Sequence, residues 1–265
     1  MLQNLNNIDV TADAANSVAL GGSATANSDG AIAIGSHGST NTTASGNRAL
    51  AIGAAATANG LDNIAIGSRA STSSQYSTAV GNGATATAIR AAAFGANSTA
   101  SVEGGVALGV GSVANRAGGL ANKGYNPNDN RTNKYAGLNT WVLSPTTGAV
   151  AVGNGTAATR QITGLAAGKE DTDAVNVAQL KSVNLAFAGN VGSGDVNLAN
   201  NTLGLKGDGT YITTAANGQN LTISGKTQNI NVTNGQASAN AAGMADAKNV
   251  ADAINKAVSA NAYNW

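Results

Sequence analysis

Ile64-Ala65-Ile66-Gly67 states the phrase on which the fold turns: an apolar residue, Ala, a larger apolar residue, Gly. The phrase stands again at Val18-Ala19-Leu20-Gly21, Ile32-Ala33-Ile34-Gly35, Leu50-Ala51-Ile52-Gly53, Thr78-Ala79-Val80-Gly81, Ala92-Ala93-Phe94-Gly95 and Val106-Ala107-Leu108-Gly109. Its closing glycines lie 14 residues apart, except between Gly35 and Gly53, where the interval is 18. A fixed short period marks a solenoid. Three apolar residues closed by Gly are too short for a helix and suit a strand followed by a bend. The second half of the period, as in Ser23-Ala24-Thr25-Ala26 or Ala84-Thr85-Ala86-Thr87, alternates small and hydroxylated residues and reads as a second short strand. Each period is therefore a two-strand coil. Parallel stacking at about 4.8 Å per coil gives a roll roughly 30 Å long.

The expected burial places the first and third apolar residues of each phrase on one covered face, with the middle Ala looking out of the other. Neither face carries charge, so the strands read as buried on both sides. A narrow roll has little interior, and its second apolar face calls for another copy of the chain. A monomeric solenoid with a solvated alanine-rich flank is the competing reading.

Composition excludes several function classes. Only 10% of the 265 residues are charged and 3% aromatic, while 35 are Gly and two are Pro. A core of large side chains is unavailable, and the architecture is a linear array. A net charge of +1 with no Lys/Arg run leaves no patch for a phosphate backbone, so no nucleic-acid partner is expected. Cysteine is absent, which suits a chain exposed outside a cell. No stretch approaches the ~20 apolar residues of a membrane-spanning helix, and the first 30 residues lack a secretory signature. The expectation is an excised passenger segment whose signal and anchor lie elsewhere.

Residues 1–15 are a polar lead-in, and 16–118 form the roll, with the four extra residues of the long period looping out near Asn41 to Gly46. Residues 119–149 read as an excursion, Trp141 packing it back onto the roll, before Val150-Ala151-Val152-Gly153 restates the phrase. Residues 150–164 are then the last coil and its exit. Residues 165–185 carry a short helix capped by Thr172 or Asp173, with Val177, Leu180 and Asn184 at coiled-coil spacing. Asn176 or Asn184 facing that seam could hold an ion or water, or set register. Residues 186–240 form a small β module. Its short strands are Phe187-Ala188-Gly189, Val196-Asn197-Leu198, Leu203-Gly204-Leu205, Tyr211-Ile212-Thr213 and Leu221-Thr222-Ile223, with Asn217-Gly218 as a hairpin signal. Residues 241–265 hold a helix with Met244, Ala247, Ala251, Ile254 and Val258 at 3,4 spacing.

Catalytic chemistry is hard to assemble. His37, the single histidine, stands between Ser36 and Gly38 without an acidic or thiol neighbour. Gly153-Asn154-Gly155 and Gly207-Asp208-Gly209 lack the rest of a phosphate loop and read as turns. No nucleophile–base pair or metal cluster forms, so the reading is non-enzymatic, with no cofactor and no metal.

The roll repeats, the Trp141-containing insert and above all Asp171-Thr172-Asp173-Ala174-Val175-Asn176-Val177-Ala178-Gln179-Leu180-Lys181 resemble the trimeric autotransporter adhesins. They are similar to a YadA-like head, its head insert and the neck that follows. Residues 186–240 resemble, by pattern, the GIN or Trp-ring modules of such fibres, and Trp265 resembles the opening of a further module. The resemblance implies a mostly β chain: left-handed parallel β-rolls side by side in a homotrimer, then a neck, a small β module and short trimeric coiled coils. It implies display on a bacterial outer membrane and attachment to host cells or to matrix protein such as collagen, fibronectin or laminin. A purely structural spacer without a ligand is the alternative. Collagen-binding heads of the family carry Asn-Ser-Val-Ala-Ile-Gly followed by a Ser. Asn16-Ser17-Val18-Ala19-Leu20-Gly21-Gly22-Ser23 is similar, which makes Asn16, Ser17, Gly21 and Ser23 the candidate ligand-binding residues. The plainer reading takes Val18 and Leu20 as core and Asn16 and Ser17 as the end of a turn.

Overall fold

Each of the seven phrases is a strand: Val18–Leu20, Ile32–Ile34, Leu50–Ile52, Ile64–Ile66, Thr78–Val80, Ala92–Phe94 and Val106–Leu108. They stack in sequence order as parallel neighbours, and Val150–Ala151 completes this 8-stranded apolar sheet. The intervening halves, Thr11–Ala12, Ala24–Ala26, Thr42–Ala44, Thr57–Ala58, Ser71–Thr72, Thr85–Ala86, Thr99–Ala100 and Val113–Ala114, form a second 8-stranded sheet, the Ala/Thr sheet. Pairing keeps equivalent residues opposite each other, Ala65 with Ala79 and Ala79 with Ala93. This is the parallel β-solenoid that the period demands. The computed structural model describes residues 9–35, 40–126 and 143–262, so His37, Trp141 and Trp265 lie outside the described residues.

The two faces of the phrase are the reverse of the expected ones. The middle alanines, Ala33, Ala51, Ala65, Ala79, Ala93 and Ala107, are fully buried and form the core with Ala24, Ala26, Ala44, Ala58, Ala86 and Ala100 of the other sheet. The larger first and third residues, such as Ile32 and Ile34 or Ile64 and Ile66, look outward and are half-exposed. The reason is width. Two short strands joined by tight bends at both ends leave room between them for little more than a Cβ, so branched side chains must take the outer side. The apolar face in need of cover is therefore the large-residue face.

The long period also differs from its expected form. Thr42–Ala44 is an in-register strand, with Ala24 opposite Thr42 and Ala26 opposite Ala44. The four extra residues consequently fall between Gly35 and Thr42, ahead of the expected place.

Both bends of a coil use left-handed backbone. One column runs Asn16, Gly30, Arg48, Asp62, Tyr76, Arg90, Gly104, and the other includes Ser23, Ala55, Arg69, Gly83, Asn97 and Gly111, all with φ between 54° and 67°. The phrase glycines have a different cause. At Gly67 φ is 127°, and a Cβ there would stand 2.5 Å from the carbonyl oxygen of Gly81. Successive glycines pack backbone on backbone, leaving no space for a side chain.

Val106 pairs with Val150 and Ala107 with Ala151, so the strand Val150–Ala151 resumes the solenoid directly beside Val106–Leu108. Next to it, Gly119 N–H bonds Pro145 C=O at 2.6 Å and Gly148 N–H bonds Glu103 C=O at 3.0 Å.

Residues 1–174 form one compact unit and 175–265 another. In the second, Val177–Lys181 is a helix of five residues whose N-cap is Asn176, in a capping box with Gln179. Neither Thr172 nor Asp173 caps it, because the Asp173 carboxylate is taken by the N–H groups of Lys169 (2.8 Å) and Glu170 (3.0 Å). Asn184 is not on a helical seam either. It opens the strand Asn184–Ala188, paired antiparallel with Ser193–Asn197, and accepts at Oδ1 from Asn197 Nδ2 at 2.9 Å. A second hairpin joins Ile212–Asn217 to Asn220–Gly225 through Gly218 and Gln219. With φ of 57° at its first central residue, this turn is of the II′ kind rather than an Asn-Gly I′ turn. A third hairpin, Ile230–Thr233 with Gln236–Ala239, turns at Asn234 and Gly235, both at positive φ. Leu203-Gly204-Leu205 forms no strand. The final helix, Ala247–Ala262, begins after Met244, which instead makes a parallel bridge with Thr227. It packs on the third hairpin and leaves Ile254 and Val258 exposed.

Candidate ligand-binding surface

Three outer surfaces of the roll are built by the period. The apolar sheet presents in-register columns headed by Val18 and Leu20, the first running through Val106 to Val150 and the second ending at Leu108. The Ala/Thr sheet presents the hydroxyl column Thr25, Thr43, Thr57, Ser71, Thr85 and Thr99, stacked one per coil. The third surface is the corner where Asn16, Arg48, Asp62, Tyr76 and Arg90 take left-handed backbone.

That corner carries most of the charge of the roll. Arg48 donates from Nε and Nη2 to the two carboxylate oxygens of Asp62, one coil on, at 2.7 Å each. The guanidinium, hydrogen-bonded to it, holds the Asp62 carboxyl below its ordinary range. Arg90 lies 5.9 Å from the centre of the Tyr76 ring and bonds Glu103 at 3.0 Å. These are solvent-facing pairs, screened by water, so the corner contributes little to stability. Sequence reading missed it, although the signal was present: residues 48, 62, 76 and 90 repeat at the same 14-residue step as the glycines.

The four candidate residues from the Asn16 phrase do not share one exposed surface. Asn16 is exposed at the head of the charged corner, with Nδ2 at 3.4 Å from Asp29 Oδ1. Ser17 is half-buried and donates its hydroxyl to the Ala14 carbonyl at 2.7 Å. Gly21 lies in the opposite bend, with φ of 109°, where a Cβ would strike the Gly35 carbonyl oxygen. Ser23, in that same bend, is only 7% exposed. Asn16 and Ser17 thus stand together, and Gly21 and Ser23 shape the strand's far end.

At the C-terminal end of the roll, the open edges of Val113–Ala114 and Val150–Ala151 border a pocket of about 370 Å³ that also touches Asn154, Ala158 and Arg160. Asn154 Oδ1 accepts from the N–H groups of Thr156, Ala157 and Ala158, folding the exit into a tight loop. Among the described residues no three His, Cys, Asp or Glu side chains gather as a metal site, and no helix is long and apolar enough to cross a membrane. The arrangement offers many shallow, repeated polar contacts, which gain strength through multiplicity.

Comparison with known proteins follows the same division. Residues 12–37, 44–70, 64–84, 73–98 and 86–112 match the YadA head domain repeat, and residues 161–203 match the coiled stalk of trimeric autotransporter adhesin. The autotransporter adhesin BadA of Bartonella henselae is 37% identical over 110 residues, which is 41% of this chain and 4% of that protein. The chain therefore spans a small fraction of the relative it matches. The crystal structure of the collagen-binding domain of the Yersinia adhesin YadA shares 31% identity, covering 62% of this chain and 73% of that one, with a TM-score of 0.43.

Proposed function

The chain belongs to the trimeric autotransporter adhesins, and from that premise we propose that it is the head-bearing part of a surface fibre that attaches a bacterium to host matrix or host cells. The observation that carries this reading is the order along the chain: head-repeat sequence at residues 12–37 and 44–112, followed by stalk sequence at 161–203. Residues 16–118 and 150–164 act as the head, 119–149 as its insert and 165–185 as the neck. Residues 186–240 form a β module, and 241–265 begin a further helical segment. The fibre is displayed at the bacterial cell surface, at the outer membrane. It works by binding, without catalysis or a cofactor.

Assembly as a parallel homotrimer fits the energetics. Each roll leaves about a dozen Val, Leu, Ile and Phe side chains half-covered on its apolar sheet. Covering the exposed half of each gains about 1 kcal/mol, so the sum is on the order of 10 kcal/mol per chain, comparable to the cost of association.

For the ligand, we propose collagen, fibronectin or laminin, taken on the outer corner that begins at Asn16 and Ser17, with Gly21 and Ser23 shaping the coil behind them. Solid-phase binding of the trimer to the three proteins tests this. Asn16→Ala with Ser17→Ala should weaken collagen binding severalfold without lowering the melting temperature. If the wild-type trimer shows no saturable binding to any of the three at micromolar concentration, the segment is a spacer for other modules.

A further inference from the structure

Inside the roll the packing rule is glycine on glycine. A Cβ placed on Gly53, Gly67, Gly81 or Gly95 would meet the carbonyl group of Gly67, Gly81, Gly95 or Gly109, one coil on. At Gly109 the series has no next glycine, and Arg160 occupies the place: a Cβ on Gly109 would lie 2.9 Å from the guanidinium carbon. Its Nη1 donates to the Val152 carbonyl at 2.6 Å and to Ser112 Oγ at 3.0 Å, and Nη2 donates to the Val110 carbonyl at 2.6 Å. These acceptors sit on two successive passes of the chain, one before the insert and one after it.

The coil fastened there is otherwise weakly held. Its strand Val150–Ala151 has two residues, and the Val113 N–H to Gly153 C=O bond of 2.9 Å is the ladder contact nearest the exit. Beyond Arg160 the chain forms no helix or strand until Val177. A pull arriving from the C-terminal side would peel such a coil away one hydrogen bond at a time.

We propose that Arg160 is a tension clamp. Its guanidinium takes the pull arriving from residue 161 onward and passes it to Val110, Ser112 and Val152 together, so that the loop 153–159 and the last ladder bond are spared. A planar fork with donors on two sides can hold three acceptors at once, and charged donors make the stronger hydrogen bonds. A lysine at this place has one ammonium and cannot span them. The inference rests on the surface-fibre reading for the origin of the load, but it needs no ligand, so an adhesin that bound nothing would still pass its test.

Single-molecule pulling on the full-chain trimer provides that test, and the absence of native cysteine makes the engineered thiols, one per chain at each site, the sole handles. One geometry pulls between Asn27→Cys and the C-terminus, so that the load crosses Arg160. The other pulls between Asn27→Cys and Ser101→Cys, both exposed and within the roll, so that it does not. Arg160→Ala should raise the rate of the first unravelling step about tenfold or more in the first geometry, the factor carried by even one lost hydrogen bond to a charged donor. Arg160→Lys should recover little of it. The second geometry should be unchanged for both variants. Equal rates for wild type and Arg160→Ala in the first geometry would overturn the proposal. An equal acceleration in both geometries would overturn it too, by showing a general loss of stability. Hydrogen exchange at rest checks that the variants are folded, through unchanged protection of the amides of residues 64–66 and 78–80.

Discussion

Asn63 Oδ1 accepts from the backbone N–H of Ser77 (3.1 Å), one coil further on, in an interior lined mainly by alanine, while the Ser77 hydroxyl donates to the Ser74 carbonyl at 2.7 Å. Both side chains are fully buried, and Asn63 Nδ2 has no partner. A buried unsatisfied amide costs about 1–3 kcal/mol, close to what its packing and its accepted bond contribute. Neighbouring coils show the substitute arrangement: at the place of Ser77, Ala49 N–H bonds Gly46 C=O at 3.0 Å and Ala91 N–H bonds Ala88 C=O at 3.2 Å. Asn63→Ala should therefore cost less than about 1 kcal/mol per subunit in denaturant unfolding. A loss above about 2 kcal/mol would mean that the Oδ1 bond outweighs the orphaned donor.

The two kinds of positive φ in the roll should respond in opposite directions. Gly67 has backbone 2.5 Å from where a Cβ would sit, so Gly67→Val should destabilise by on the order of 1–3 kcal/mol per subunit, multiplied in a trimer. Ala55, at φ 59°, holds a left-handed conformation with a side chain that offers no hydrogen bond in return. Ala55→Gly should be stabilising by up to about 1 kcal/mol. Calorimetric melting of the two variants against wild type reads both signs. An unchanged melting temperature for Gly67→Val would contradict the backbone packing.

Ile66 looks outward from the middle of the apolar sheet. On a monomeric roll Ile66→Asp is a surface change worth about 0.5 kcal/mol or less, whereas in a trimer it buries three charges at one level, at several kcal/mol. Light scattering should give three times 25.7 kDa for wild type and a smaller or polydisperse species for the variant. A wild-type mass of one chain at micromolar concentration would refute the trimer.

Two carboxylates tie turns together in their charged form. Asp208 Oδ1 accepts from Ile212 (3.0 Å), Tyr211 (2.7 Å) and Thr210 (2.9 Å), and Asp173 Oδ2 from Glu170 and Lys169. These backbone hydrogen bonds hold both carboxyls below the ordinary aspartate value. A folded pKa below the unfolded one contributes stability that is complete above the unfolded value and is lost as pH falls through the folded one. The amide signals of residues 210–212 should therefore titrate with a midpoint below 3.8 as acid is added, while Asp208→Asn should abolish the step. A midpoint at or above that value would show the turn open in solution.

The sequence by itself determined the repeat. The phrase from Val18 to Gly109 set strand length, coil period and register, because backbone hydrogen bonding between equivalent positions admits one stacking. It also determined that an apolar face needs a partner, and the neck phrase from Asp171 to Lys181 pointed to the family. What it did not determine was which side of each strand turns inward. Alternation makes the two sides equivalent in sequence, and only the closed coil, with room for a methyl group and no more, sends Ala65 in and Ile64 and Ile66 out. The cap at Asn176 was decided in the same way, since the Asp173 carboxylate was already engaged by Lys169 and Glu170. The charged corner depends on both levels: the 14-residue step brings Arg48 over Asp62 and Arg90 near Tyr76, but only the left-handed bend turns those side chains to solvent. Arg160 had no local signal at all. Its three acceptors lie 8 to 50 residues away, and only the ending of the solenoid brings them to one guanidinium.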